Sequence, residues 1–183
     1  MTNELGTRIY LRFFVPADAQ ERVDMQNRNR AVFEKVSIDR DESYYTLDGQ
    51  AELIARWAQE KEAHQRYAFG IFLHETGQLI GDISLVEIMP DTTKLWILGY
   101  ALDQVHQGQG YMSEAIPLVL EYAFQETGIK RVEAGAVPTN VASIRVLEKA
   151  GFQTVEGSNP HRVKINGNWE EHLLFFIEGG EGL

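Results

Sequence analysis

Two spacings of hydrophobic residues alternate along the chain, and together they predict an intermixed set of strands and helices. Short runs rich in aromatic and β-branched residues predict strands, and apolar residues spaced by three and four predict helices. The predicted strands are residues 8–15, 67–73, 78–88, 95–102, 131–137, 152–156 and 168–177. The predicted helices are residues 16–27, 51–63, 112–124 and 140–150. No internal repeat or linker interrupts this order, so we expect one α+β domain over residues 1–183.

Some positions within the pattern carry specific expectations. The strand at 95–102 is nearly all apolar, so we expect it to be buried on both faces. In the last helix, Val141, Ile144 and Leu147 should point inward. Residues 27–49 are mixed and turn-rich, and Asn166-Gly167 should lie in the loop before the last strand.

Composition narrows the class of protein. With 183 residues, 44% hydrophobic and 24% charged, the chain has the composition of a globular protein. No apolar run approaches the ~20 residues that span a bilayer. The segment Met1 to Glu4 lacks the basic and apolar regions of a secretory signal. The chain contains no cysteine, which excludes disulfides and thiolate metal ligands. We therefore expect a cytoplasmic protein with no membrane contact.

The charge balance favours cationic partners. The formal net charge is −10, which opposes non-specific binding to nucleic acid and suits an amine or a basic protein tail. The same acidic balance also keeps a protein soluble whatever its function. The five histidines are scattered with no pair at ligand spacing, so we expect no metal site; they are His64, His74, His106, His161 and His172.

A Gly-x-Gly junction, HQGQGYMSEA at residues 106–115, stands where a predicted strand gives way to a helix. The first N–H groups of a helix lack partners and carry the positive end of its dipole, so the junction predicts an anion site suited to phosphate. A dinucleotide fingerprint would need a third glycine near Met112 and Ser113, and a Walker loop would need a lysine. Neither is present, and a tight turn without a ligand remains the alternative.

The wider pattern resembles the GNAT family of acetyl-CoA-dependent N-acetyltransferases. Within that family it is similar to the branch that acetylates the N-terminal residue of ribosomal proteins. The resemblance rests on RIYLRFFVPADA, IGDISL, LGYALDQVHQGQGYMSEA, PTNVASIRVLEKAGF and INGNWEEHLLFF, which together span nearly the whole chain. It implies a central mixed, mostly antiparallel twisted sheet flanked by helices, and acetyl-CoA as co-substrate.

The resemblance also implies where the co-substrate binds. The pantetheine arm should pair with the strand at 99–103, and Gly99 is a reasonable place for the bulge that accompanies the splay of this strand. Asn140 and Ser143 should contact the thioester end, with Ser143 donating to the departing sulfur. The full set of implied contacts is Ala101, Leu102, Asp103, Gln107, Gly108, Gln109, Gly110, Tyr111, Met112, Asn140 and Ser143.

Two positions depart from the pattern of the branch. Ile97 stands where a glutamate often acts as base, so that role is either absent or moved to Glu87 or Glu133. Glu133 is our candidate base, because it lies opposite the apolar face of its strand, next to the expected splay. Val105 stands where arginine or glutamine often contacts the co-substrate. His106 adjoins the turn and is a further candidate contact.

The acceptor is the least determined part of the function. An α-amine has a pKa of ~7.7–8.0 and is partly neutral in the cytosol, whereas a lysine amine at ~10.4 is almost wholly charged. The departure at Ile97 therefore favours an N-terminal α-amine, such as that of a ribosomal protein. Glu34, Tyr44 and Tyr45 are candidates to line an amine pocket. A small-amine acetyltransferase, for a polyamine or aminoglycoside, and a non-catalytic acyl-CoA-binding module remain open, as does a monomer or a homodimer.

Overall fold

Eight strands and four helices make up the described part of the chain. The computed structural model describes residues 8–88, 95–155, 161–165 and 167–180. The strands are β1 (Ile9–Phe13), β2 (Arg66–Leu73), β3 (Leu79–Ile88), β4 (Leu95–Leu102), β5 (Arg131–Ala136), β6 (Gln153–Thr154), β7 (His161–Ile165) and β8 (Asn168–Glu178). The helices are α1 (Ala19–Phe33), α2 (Leu47–Glu62), α3 (Tyr111–Glu126) and α4 (Val141–Lys149). The expectations for Met1 to Glu4, Glu156 and Asn166 lie outside the described residues.

The strands form a mixed sheet that divides between β4 and β5. Its order is β1-β2-β3-β4-β5-β8-β6, with β7 paired to β8. All pairs are antiparallel except β4 with β5. Those two strands pair only where Trp96 meets Val132 and Ile97 meets Glu133, and beyond this point they diverge. The expected mixed, mostly antiparallel sheet flanked by helices is confirmed.

The sheet is covered on both faces. One face packs under α3, where Leu85, Trp96 and Leu98 meet Ile116 and Val119 in the main core. The opposite face packs against α1 and α2, in a smaller cluster that includes Met25, Ile54, Phe72 and Leu79. Apolar residues alternate along the strands between these two clusters, as the period of a pleated strand requires. No helix among the described residues is long and apolar enough to cross a membrane.

Helix α1 is longer than the sequence pattern predicted. It continues to Phe33, six residues past the expected end at Asn27. Its buried face includes the polar residues Arg22, Gln26 and Asn29, each at most 3% exposed. Because polar side chains occupy inward positions, the apolar stripe that marks a helix is missing from this part of the sequence.

Strand β4 is buried on one face rather than two. Trp96 and Leu98 point into the core under α3, whereas Gly99 is exposed and Ile97 only half-buried. The expected bulge at Gly99 is absent, since β3 and β4 keep one register from Gly81 opposite Leu102 to Ile88 opposite Leu95. The second face is open because β5 leaves the strand beyond Ile97.

The C-terminal third differs from the predicted pattern in three places. Val141 is 50% exposed, whereas Leu147 is fully buried. Val141 stands six positions before Leu147, and this spacing places the two side chains on different faces of α4. Strand β7 was missed, although it pairs with β8 in a hairpin beside Gly167. Strand β6 is two residues long instead of five.

Candidate active site

The divergence of β4 and β5 leaves one edge of β4 without a neighbouring strand. The Asp103 N–H donates to the Ile80 carbonyl at 2.8 Å, so Ala101, two residues earlier, also directs its backbone groups toward β3. Leu98 and Tyr100 alternate with these residues and direct their N–H and C=O groups to the open edge. The backbone groups at the open edge are therefore those of Leu98 and Tyr100, and a contact of Ala101 with the co-substrate stays a prediction.

Leu102 and Asp103, also expected to contact the co-substrate, are engaged within the protein. The Leu102 carbonyl accepts from the Gln107 side-chain amide at 2.9 Å. The Asp103 carboxylate is 1% exposed and accepts from Arg28 at 2.5 Å and from Asn29 at 3.0 Å. Burial raises the pKa of Asp103, but these two partners outweigh it and hold the pKa below its usual value. The Asp103 carboxylate thus attaches α1 to the sheet, and the contact of Asp103 with the co-substrate stays a prediction.

The Gly-x-Gly turn presents a group of backbone donors. Gly108 and Gly110 have φ of +73° and +88°, a left-handed conformation that side chains with a Cβ rarely adopt. The first helical bond of α3 runs from the Glu114 N–H to the Gly110 carbonyl at 3.2 Å, so the preceding N–H groups of Tyr111 and Met112 have no helical partner. No atom lies within 4 Å of a Cβ built on Gly108, so the backbone is open to close approach.

The backbone N–H of Gln107, expected among the donors of the turn, is already bonded within the protein. Its N–H donates to the Gln104 carbonyl at 3.2 Å, within the short 3₁₀ turn Gln104–His106. The donors of the turn therefore begin at Gly108. Among the described residues, the buried Nδ1 atom of His106 has no partner, and this ring packs edge-on to Tyr111 at 6.0 Å between centroids.

Arg8, the residue before β1, contacts the same turn. The Arg8 guanidinium donates to the Gln109 carbonyl at 2.9 Å and to Glu114 at 2.6 Å, and it stacks over the Tyr111 ring at 4.4 Å. The Glu114 carboxylate is therefore ion-paired at the start of α3. The turn therefore has backbone N–H groups without a helical partner, open space at Gly108 and the positive end of the α3 dipole. These features fit a pyrophosphate group.

The start of α4 holds the pair expected at the thioester. Asn140 caps the helix, since its Oδ1 accepts from the Ser143 N–H at 3.2 Å. The Ser143 hydroxyl lies 2.8 Å from the Tyr100 hydroxyl of β4, at the open edge. Burial raises the pKa of Tyr100, and the bond to Ser143 opposes this only partly. Tyr100 carries no signal of this contact in the sequence pattern, and only the packing of α4 beside β4 brings the two hydroxyls together.

Glu133, the candidate base, lies on the expected face at the point of divergence. It alternates with Val132 and Ala134, which belong to the core under α3, so it points to the other face together with Ile97. Its carboxylate is 9% exposed and accepts from Arg131 at 2.9 Å. The site therefore contains a base candidate that is already ion-paired.

Two other titratable side chains, Glu87 and His172, can be compared with Glu133 as possible bases. Glu87, the other candidate, pairs with Trp96 and lies on the face of the sheet under α3, away from Glu133. His172, which the sequence analysis set aside, packs over Gly135, with its Cδ2 atom 3.4 Å from a Cβ built there. This histidine comes from β8, and only the pairing of β8 with β5 brings it beside the divergence.

The candidate amine pocket lies in the segment between α1 and α2. The Tyr45 hydroxyl donates to Glu34 at 3.3 Å, and the Tyr44 hydroxyl accepts from the buried Arg22 at 3.2 Å. Burial and the nearby Glu34 carboxylate raise the pKa of Tyr45. Of the three residues, Glu34 alone lines the neighbouring cavity of about 300 Å³, together with Ser37, Ile38, Asp39, Arg40 and Gly167.

Comparison with known proteins agrees with this geometry. The family model described as acetyltransferase (GNAT) domain matches residues 8–153. The probable N-acetyltransferase YjcK of Bacillus subtilis is 43% identical over 172 residues, which cover 94% of each chain. The ribosomal protein uS5-alanine N-acetyltransferase of Escherichia coli is 28% identical over 170 residues, 91% of this chain and 86% of that one.

Solved structures share the same fold. Ribosomal-protein-S5-alanine acetyltransferase from Vibrio fischeri superimposes with a TM-score of 0.90 at 24% identity, covering 99% of this chain and 98% of that one. Mycobacterium smegmatis RimJ, solved in complex with CoA-disulfide, gives a TM-score of 0.84 at 21% identity, covering 93% and 81%. The resemblance seen in the sequence is confirmed, and the non-catalytic alternative is set aside. The chain belongs to the GNAT family and is an N-acetyltransferase.

Proposed function

We propose that this enzyme transfers the acetyl group of acetyl-CoA to the N-terminal α-amine of a protein, such as a ribosomal protein. The observation that carries the proposal is the ion pair of Glu133 with Arg131 at 2.9 Å, beside the apolar Ile97. Because Arg131 already engages one oxygen of this carboxylate, the site suits an amine that is partly neutral before it binds. The 28% identical uS5-alanine relative supports the same acceptor class.

The reaction requires little proton transfer by the protein. Acetyl-CoA supplies an activated acyl group: a bond forms from the amine nitrogen to the carbonyl carbon, the carbon–sulfur bond breaks, and CoA thiolate and one proton are released. Ser143 donates a hydrogen bond to the departing sulfur. The α-ammonium group loses its first proton to solution, and Glu133 receives, directly or through water, the proton that the attacking nitrogen loses as the amide forms. The turn at 108–112 binds the pyrophosphate, and we place the enzyme in the cytoplasm, where ribosomal proteins are found.

The acceptor is tested with matched peptides. One peptide carries a free N-terminal alanine, and the second has the same sequence, a blocked N-terminus and one lysine. We expect kcat/KM to be at least tenfold higher for the free N-terminus, because its α-amine is far more often neutral at pH 7. The measurement is CoA thiol release with each peptide and with spermidine.

The pH dependence provides the matching control. If deprotonation is left largely to solution, kcat/KM for the free peptide should rise with pH through the α-amine pKa, near ~8. Equal or better use of the blocked peptide or of spermidine would reject the α-amine and leave the N-acetyltransferase assignment intact.

A further inference from the structure

The contact between Tyr100 and Ser143 joins the open edge of β4 to the first turn of α4. The two hydroxyl oxygens are 2.8 Å apart, and the Tyr100 hydroxyl also lies 3.4 Å from the Ser143 backbone carbonyl. Tyr100 packs against the main core. This contact spans 43 residues of sequence, and nothing in the local pattern of either element requires it.

The Tyr100 hydroxyl has two neighbouring oxygen atoms, both from Ser143. A backbone carbonyl can only accept, so Tyr100 donates in its 3.4 Å contact. In the 2.8 Å contact either hydroxyl can donate, and the phenol is the more acidic of the two and therefore the stronger donor. Burial raises the pKa of Tyr100, which keeps the phenol protonated and able to donate at neutral pH. When Tyr100 donates, the proton of the Ser143 hydroxyl is left free to point to another acceptor.

We propose that Tyr100 is a positioning residue that aims the Ser143 hydroxyl proton into the cleft between β4 and β5, toward the sulfur of CoA. The inference rests on the proposed role of Ser143. Donation by the phenol polarises the serine hydroxyl, since hydrogen bonds in a chain strengthen one another. Tyr100 thereby stabilises the thiolate through Ser143 without touching it, and no proton leaves the tyrosine.

The test compares four proteins: wild type, Tyr100→Phe, Ser143→Ala and the double variant. Tyr67→Phe is the matched control, because it also removes a phenol hydroxyl. Tyr67 lies on β2, away from the open edge, and its hydroxyl is bonded to His64 at 2.9 Å. The first readout is the pKa of the thiol of bound CoA, followed by thiolate absorbance as pH is varied. This readout needs no acceptor, so it stands even if the assignment to an α-amine fails.

We expect wild type and Tyr67→Phe to hold the thiol pKa below that of free CoA. Ser143→Ala should return it to the free value, Tyr100→Phe should raise it part of the way, and the double variant should match Ser143→Ala. Replacement of Tyr100 by 3-fluorotyrosine keeps the hydroxyl and makes it a stronger donor, so it should lower the thiol pKa further. Each of these outcomes is independent of changes in stability.

Turnover provides the second readout, with whichever amine the wild type uses best. Tyr100→Phe should lower kcat about tenfold, the effect of losing one good hydrogen bond, while the KM for acetyl-CoA changes less than about threefold. Ser143→Ala should lower kcat roughly 10²-fold. A thiol pKa unchanged in Tyr100→Phe would overturn the inference. A double variant that loses more than Ser143→Ala would also overturn it, because Tyr100 would then act on the sulfur directly.

Discussion

At the scale of single residues, two glycines determine whether the turn before α3 can form. Gly108 and Gly110 both adopt positive φ, and a Cβ on Gly110 would lie 3.3 Å from the guanidinium of Arg8. Gly108 faces open space instead. A side chain at Gly108 therefore meets no atom of the protein, and its effect comes from backbone strain and from occupying the place of a ligand.

We expect Gly108→Val to weaken CoA binding at least tenfold, because a branched Cβ blocks the close approach that a phosphate requires. Gly77→Val is the matched control, since Gly77 has a φ of +72° and no neighbour within 4 Å, in the turn between β2 and β3. Both variants should lose about 1–3 kcal/mol of unfolding free energy from strain. Calorimetry with CoA separates them, and equal binding by the two would contradict a phosphate site at the turn.

At the scale of elements, buried carboxylates attach α1 to the sheet. Asp18, beside the start of the helix, accepts from Arg12 of β1 at 2.7 Å, and Asp103 at the end of β4 accepts from Arg28 and Asn29 of the helix. Burial raises the pKa of Asp18, but the hydrogen bonds from Arg12 and from the Val15 N–H lower it by more. The pKa of Asp18 therefore lies below its usual value. These ion pairs therefore attach α1 to the sheet in addition to its apolar residues, such as Met25 in the cluster shared with α2.

We expect Asp103→Asn to lower the unfolding free energy by about 1–3 kcal/mol, because a buried acceptor of two partners loses its charge. Folding lowers the pKa of this carboxylate, so the carboxylate stabilises the protein fully at pH values above its unfolded pKa of ~3.9. This stabilisation is lost as the pH falls through the pKa of the folded state. The difference in unfolding free energy between wild type and Asp103→Asn, measured by urea unfolding, should therefore be constant near pH 7 and decrease below pH ~4.

Glu42→Gln is the control for this experiment. Its carboxylate also pairs with an arginine, Arg30, at 2.5 Å, but the glutamate is exposed to water. Exposed pairs contribute little, so this variant should unfold almost as the wild type does. A loss as large as that of Asp103→Asn would show that burial is not the reason for the effect.

At the scale of the whole molecule, the excess of 27 acidic over 17 basic residues favours cationic acceptors. We expect the KM for a basic N-terminal peptide to rise several-fold as ionic strength increases from about 0.05 M to about 0.5 M, because salt screens the attraction. A neutral peptide with the same first two residues serves as the control and should show little change. Equal salt dependence for the two peptides would exclude a role of the net charge in acceptor binding.

The sequence by itself determined the family, most of the strands and the place of the Gly-x-Gly turn. These follow from local features: the spacing of apolar residues, the glycines where φ is positive, and the cap at Asn140 that places Ser143 in the first turn of its helix. Such interactions form between residues close in the chain, so a pattern within one segment is enough to predict them.

Only the tertiary structure decided which groups meet across the sheet. The end of the β4–β5 pairing makes Leu98 and Tyr100, not Ala101, the donors at the open edge. The register of β8 places His172 beside Gly135, and the packing of α4 brings Ser143 to Tyr100. These contacts join segments tens of residues apart, and a shift of one residue in a strand reverses which side chains and backbone groups face the cleft. A local pattern cannot predict them, because it carries no information about which strands end as neighbours.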